Sequence, residues 1–104
     1  MSDDPKKQQP VPVQVKIELD PETAQGAYVN MAMVNHNETE FTLDFIYVQP
    51  QEPKGKVRAR IISSPKHAKR MLMALQDSIA GYEKKFGTID IGPNFMMPTG
   101  KILN

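Results

Sequence analysis

Ser64-Pro-Lys-His-Ala-Lys-Arg-Met-Leu-Met-Ala-Leu-Gln-Asp-Ser-Ile-Ala-Gly-Tyr-Glu-Lys-Lys-Phe-Gly87 carries the marks of one long helix at both ends and along its length. Ser64 can accept a first-turn N–H through its hydroxyl, and Pro65 at the first helical position forfeits only a donor that would lack a partner anyway. Ala68, Leu72, Leu75, Ile79, Tyr82 and Phe86 recur at alternating steps of 4 and 3, an unbroken apolar seam. Gly87 is placed to end the helix in the left-handed conformation. Such a seam must be buried, either on a sheet, which is the favoured reading here, or on another helix as a short coiled coil.

Upstream the period changes from that of a helix to that of strands. Val13, Val15, Ile17 and Leu19 alternate with Gln14, Lys16, Glu18 and Asp20, which predicts a first strand with one wet face. Asp20 to Gly26 supplies turn residues. The run Ala27 to Asn35 predicts a second strand, with Val29, Met31 and Met33 on one face and Tyr28, Ala32 and Val34 on the other. After a polar connection, Phe41, Leu43, Phe45 and Tyr47 oppose Thr42, Asp44, Ile46 and Val48 in a third strand. A Pro- and Gly-rich link leads to a fourth, where Val57, Ala59 and Ile61 alternate with Lys56, Arg58 and Arg60. No connection between these strands is long enough to hold a crossover helix, so they are read as an antiparallel meander. The expectation is an α+β fold: a four-stranded antiparallel meander sheet followed by one long C-terminal amphipathic helix (β4α) over residues 13–87. Residues 1–12 are expected to be a disordered N-terminal tail, and residues 88–104 a hydrophobic C-terminal tail.

One helix is too narrow to cover both faces of such a sheet. Tyr28, Ala32, Val34, Ile46 and Val48 form an expected second face too apolar for a monomer to leave in water, and Phe95, Met96 and Met97 lie in the apolar tail. These eight residues are the candidate self-association surface, with the tail covering either its own sheet or another subunit.

The 104 residues, 11.7 kDa, 39% hydrophobic and 24% charged, describe one small globular domain. With no Cys there is neither a disulfide nor a Cys-based zinc site. His36 and His67 stand apart from any nucleophile, paired carboxylates, phosphate-binding Gly loop or metal spacing, so both read as surface residues and no cofactor is expected. Asn37-Glu-Thr39 matches a glycosylation sequon, but the polar start of the chain reads as neither signal peptide nor membrane anchor, and a cytoplasmic location is expected.

A net charge of +1 conceals strong segregation. Residues 17–53 hold seven acids and no Lys or Arg, whereas residues 54–76 hold seven bases, Lys54, Lys56, Arg58, Arg60, Lys66, Lys69 and Arg70, and no acid. Those seven are the candidate anion or nucleic-acid contacts. The first three of the strand, Lys56, Arg58 and Arg60, are read as sharing a face, and the helix start with Ser63 and Ser64 could hold a phosphate or a partner's carboxylate. The alternative is solvated side chains, with Asp44 pairing Arg58 or Arg60 across strands.

Two motif-bearing stretches carry a family resemblance. Tyr28 to Pro50, with Glu40-Phe-Thr-Leu-Asp-Phe45, and Arg58 to Gly87, with Arg60-Ile-Ile-Ser-Ser-Pro-Lys-His-Ala-Lys-Arg70 and Tyr82-Glu-Lys-Lys-Phe-Gly87, resemble the bacterial domain-of-unknown-function family 3467. The resemblance implies a small protein with no assigned activity and supplies no site residues. A looser analogy of element order links four meandering strands and a helix to single-stranded nucleic-acid binders of the Whirly, PUR and positive-cofactor-four type. Those proteins use aromatics on an open sheet face, whereas Phe41, Phe45 and Tyr47 are read here as core. The expected function is a non-enzymatic, self-associating binding or scaffolding module, a homo-oligomer with no membrane contact and an unknown protein partner. The alternative is a nucleic-acid-binding protein that uses the basic fourth strand and helix start.

Overall fold

A computed structural model describes residues 13–93. The elements are a short helix α1 (Pro21–Ala24), strands β1 (Met31–His36), β2 (Phe41–Val48) and β3 (Gly55–Ser63), and the long helix α2 (Pro65–Phe86). The sheet is antiparallel, three-stranded and ordered β1-β2-β3, so the α+β meander followed by a helix stands, with three strands rather than four. The missing strand is the first. Residues 13–20 join no ladder among the described residues, and Val13, Val15, Ile17 and Leu19 are all exposed, Ile17 to 86%. Alternation prepares a segment to be a strand, but a strand exists only where another backbone completes its hydrogen bonds. The turn expected after it contains α1, whose first turn Asp20 caps by accepting from the Thr23 N–H at 3.3 Å. The Thr23 hydrogen bonds also hold the Asp20 carboxyl below its ordinary value.

β1 starts at Met31, four residues later than the period suggested, because Asn30 takes over the ladder with its side chain. Its Nδ2 donates to the Val48 carbonyl at 3.0 Å, and its Oδ1 accepts from the Val48 N–H at 2.8 Å. One side chain thus stands in for a strand residue at the end of β2. The β1–β2 turn is built by Asn37, whose Oδ1 accepts from the N–H groups of Thr39 and Glu40, both at 2.9 Å. The resulting register, His36 opposite Phe41, fixes which residues share a face. Ala32 and Val34 lie with Phe45 and Leu43. Met31 and Met33 lie with Ile46 and Asp44.

The buried face is therefore the one holding Met33, Asp44 and Ile46. This corrects two expectations. Tyr28, Ala32, Val34, Ile46 and Val48 do not form one second face, since Ile46 is buried on the side opposite Ala32 and Val34. Phe41, Leu43, Phe45 and Tyr47 are not core but half-buried on the more open side. Alternation within each strand was legible, but the phase between strands is set by a four-residue turn and was not.

α2 matches its expected span. Ser64 caps it by accepting from the His67 N–H at 3.2 Å, and Pro65 opens it. At the other end the Gly87 N–H donates to the Glu83 carbonyl at 2.9 Å. Gly87 has φ 99° and ψ 167°, a region essentially reserved for glycine rather than the left-handed helical one expected. Its packing differs from expectation more sharply. No residue of α2 is buried; Leu75 at mid-seam is 57% exposed and Phe86 66%. The extensive contacts between elements are those of β1 with β2 and β2 with β3, and the radius of gyration, 18.6 Å, exceeds the roughly 13 Å of a compact 100-residue domain. The helix does not cover its own sheet. The tail expectations for residues 1–12, and for Phe95, Met96 and Met97, lie outside the described residues.

Candidate functional site

Two charged arrangements on β3 decide what its cations can do. Arg60 stands directly opposite Asp44 in the ladder, donating from Nε to Oδ1 at 2.6 Å and from Nη2 to Oδ2 at 3.1 Å. The Asp44 side chain is completely buried and that of Arg60 is 54% exposed. This two-pronged pair meets the need of a carboxylate on the buried face, and its hydrogen bonds and charge raise the Arg60 pKa above its ordinary value. Arg60 is thus a structural cation, engaged through the cross-strand pairing weighed from the sequence.

The other strand cations lie on the opposite face. Between the pairs Phe45–Ala59 and Ile46–Val57 the register slips by one, a bulge that leaves Arg58 as the extra residue. Strict alternation would put Lys56, Arg58 and Arg60 on one side; the inserted residue breaks that phase. Lys56 pairs with Tyr47, and the Arg58 guanidinium lies 5.2 Å over the Tyr47 ring centre. Tyr28 meets the same ring edge-on, with centroids 6.2 Å apart. Tyr47, Gln49, Glu52, Lys54, Gly55, Lys56 and Arg58 line an open cleft of about 480 Å³. A Cβ at Gly55 would sit 3.0 Å from Ile46 Cγ2, so a larger residue there requires the Ile46 side chain to give way.

Lys66, Lys69 and Arg70 are exposed on α2 but do not line that cleft. At 100° per residue, Lys66 and Arg70 lie on the side of the helix opposite the Leu72–Leu75–Ile79 seam. The seven expected contacts therefore separate into a cleft group (Lys54, Lys56, Arg58), an engaged ion pair (Arg60) and a helix group. The Ser64 hydroxyl is spent on capping. Tyr47 was missed as the partner of Arg58, because only the bulge brings that guanidinium to the Tyr47 side. Among the described residues no three or more His, Asp or Glu gather in metal-binding geometry, and no helix is long and apolar enough to cross a membrane.

A family model described as a protein of unknown function (DUF3467) matches residues 1–91. The chain belongs to the DUF3467 family. Its match spans α1, the whole sheet and α2, and so includes the cleft and the seam alike. No curated protein and no solved structure matches this DUF3467 chain.

Proposed function

We propose that this protein is a non-enzymatic, self-associating binding or scaffolding module. One observation carries the reading: a capped helix of 22 residues displays its apolar seam from Leu72 to Phe86 to solvent. Leu72, Leu75, Ile79, Tyr82 and Phe86 are each exposed, and burying the exposed half of such side chains is worth about 1 kcal/mol apiece. About 5 kcal/mol per copy is comparable to the entire stability of a small domain. A helix of this kind gains most of its stability from a packed face rather than from propensity. The half-open sheet side with Val34, Leu43, Phe45 and Ile61 offers the complementary apolar area. Light scattering on the purified protein should report at least twice 11.7 kDa at micromolar concentration; a mass of one chain would overturn the reading.

The Tyr28–Tyr47–Arg58 cluster favours a second reading, contact with single-stranded nucleic acid, since a cation and an aromatic ring on an open sheet side suit phosphates and bases. Under it, single-stranded DNA binds at about 50 mM salt and loses roughly 10- to 1000-fold in affinity by about 200 mM. Joint replacement of Lys56 and Arg58 by Glu abolishes that binding with the particle mass unchanged. Binding that ignores salt would remove this reading.

A further inference from the structure

We infer that the segment from Val13 to Leu19 pairs as an added strand with the outer edge of β3, which carries no strand among the described residues, in a second copy of the chain, and that the exchange is reciprocal. The inference rests on the proposed self-association and names one of its contacts. Three observations converge on it. The segment has the strictest strand period in the sequence, Val13, Val15, Ile17 and Leu19 against Gln14, Lys16 and Glu18, yet it joins no ladder among the described residues of its own chain. All four apolar side chains are exposed. An apolar, alternating segment without a ladder leaves both its side chains and its backbone groups short of partners that a sheet edge supplies.

The sheet offers two edges, and length and charge choose between them. β1 has six residues and no Asp, Glu, Lys or Arg, whereas β3 has nine, three of them cations and none an acid. The seven-residue segment spans about 23 Å, which β3 can match and β1 cannot. Within it Lys16 and Glu18 cancel, and Asp20 follows directly after Leu19, so the segment adds no excess positive charge to a strand whose own charges are all positive. The same cations and the bulge at Arg58 guard the edge against indiscriminate pairing, because a basic strand would meet like charge there. Reciprocal exchange uses the same two elements from each copy and closes as a two-fold dimer, so it does not propagate into a filament.

The test combines mass with backbone hydrogen exchange on the full chain. In the wild type, amides of residues 14–19 should be slowed about 100-fold or more under conditions where the particle has at least twice the chain mass, and the slowing should fade on dilution to monomer. Val15→Pro and Ile17→Pro, which remove a ladder donor from a segment that joins no ladder among the described residues of its own chain, should abolish the slowing. Both should also weaken association at least tenfold while the β1–β3 amides stay protected. Glu18→Lys should weaken association, and Arg58→Glu should restore it in the Glu18→Lys background. A wild-type dimer whose residues 14–19 exchange freely would overturn the inference while leaving self-association intact. Slowing that persists in a monomer would mean pairing within the chain and would equally overturn it. A wild type that never exceeds one chain's mass overturns the proposed function, and the inference with it.

Discussion

Joint replacement of Leu75 and Ile79 by Asp is expected to convert the proposed assembly to a particle of about one chain's mass, 11.7 kDa, with association weakened by several orders of magnitude. Both residues lie at the centre of a seam that nothing buries among the described residues, so the substitutions put two carboxylates where the proposed apolar contact would form. The milder Leu75→Ala separates this account from that of an intramolecular core. A buried leucine lost from a core costs about 2 to 5 kcal/mol, enough to unfold a small domain. With Leu75 57% exposed, the isolated chain has little burial to lose there, and the effect should appear in the association constant instead. Gln76, one position round the helix, should be nearly silent in both measurements. Mass from sedimentation, read with thermal melting at several protein concentrations, checks the expectation; an unchanged particle mass for the doubly substituted chain would contradict it.

The second large effect concerns the sheet itself. Arg60→Glu is expected to lower the melting temperature by more than about 10 °C or to prevent folding, because it sets a second carboxylate against a completely buried Asp44. Arg60→Leu should also be severe, since the buried carboxylate keeps its desolvation and loses its two-pronged partner. The informative variant is the double one. Asp44→Leu combined with Arg60→Leu should recover most of the lost stability, as apolar replacement of a whole ion pair is often tolerated where its rupture is not. Equal damage from the single and double substitutions would show that Arg60 acts through something other than Asp44. It also follows that Arg60 cannot serve as a neutral probe of anion binding, whereas Lys56 and Arg58 can.

How much of this was legible in the sequence depends on where each constraint resides. The span of α2 was legible because its determinants are local: the Ser64 cap, Pro65, the seam period and Gly87 all act within a turn or two of their own position, whereas what the seam packs on is not a local matter. β2 and β3 were legible as strands for the same reason. Val13 to Leu19 shows the limit of that reasoning, since a period of two states what a segment could pair as, while the pairing itself needs a second backbone. The candidate site was legible by residue type but not by face. Lys56, Arg58 and Arg60 read as one strip until the bulge at Arg58 separates them, and a bulge leaves no reliable trace in an alternating pattern. The stand-in role of Asn30 for a strand residue was likewise hidden, because its partner Val48 lies 18 positions away.

The order of the sheet has a consequence for how the chain comes into being. β1, β2 and β3 neighbour one another as they follow one another, joined by residues 37–40 and 49–54, and α2 closes only local contacts. Such low contact order lets each hairpin form in microseconds to milliseconds, far faster than a ribosome adds residues. During synthesis the strands therefore have their own ladder before the last turns of α2 are made, so the exposed helix seam follows the sheet rather than preceding it. A nascent chain is thereby spared most of the time in which its apolar helix could meet the wrong neighbour before the sheet is in place.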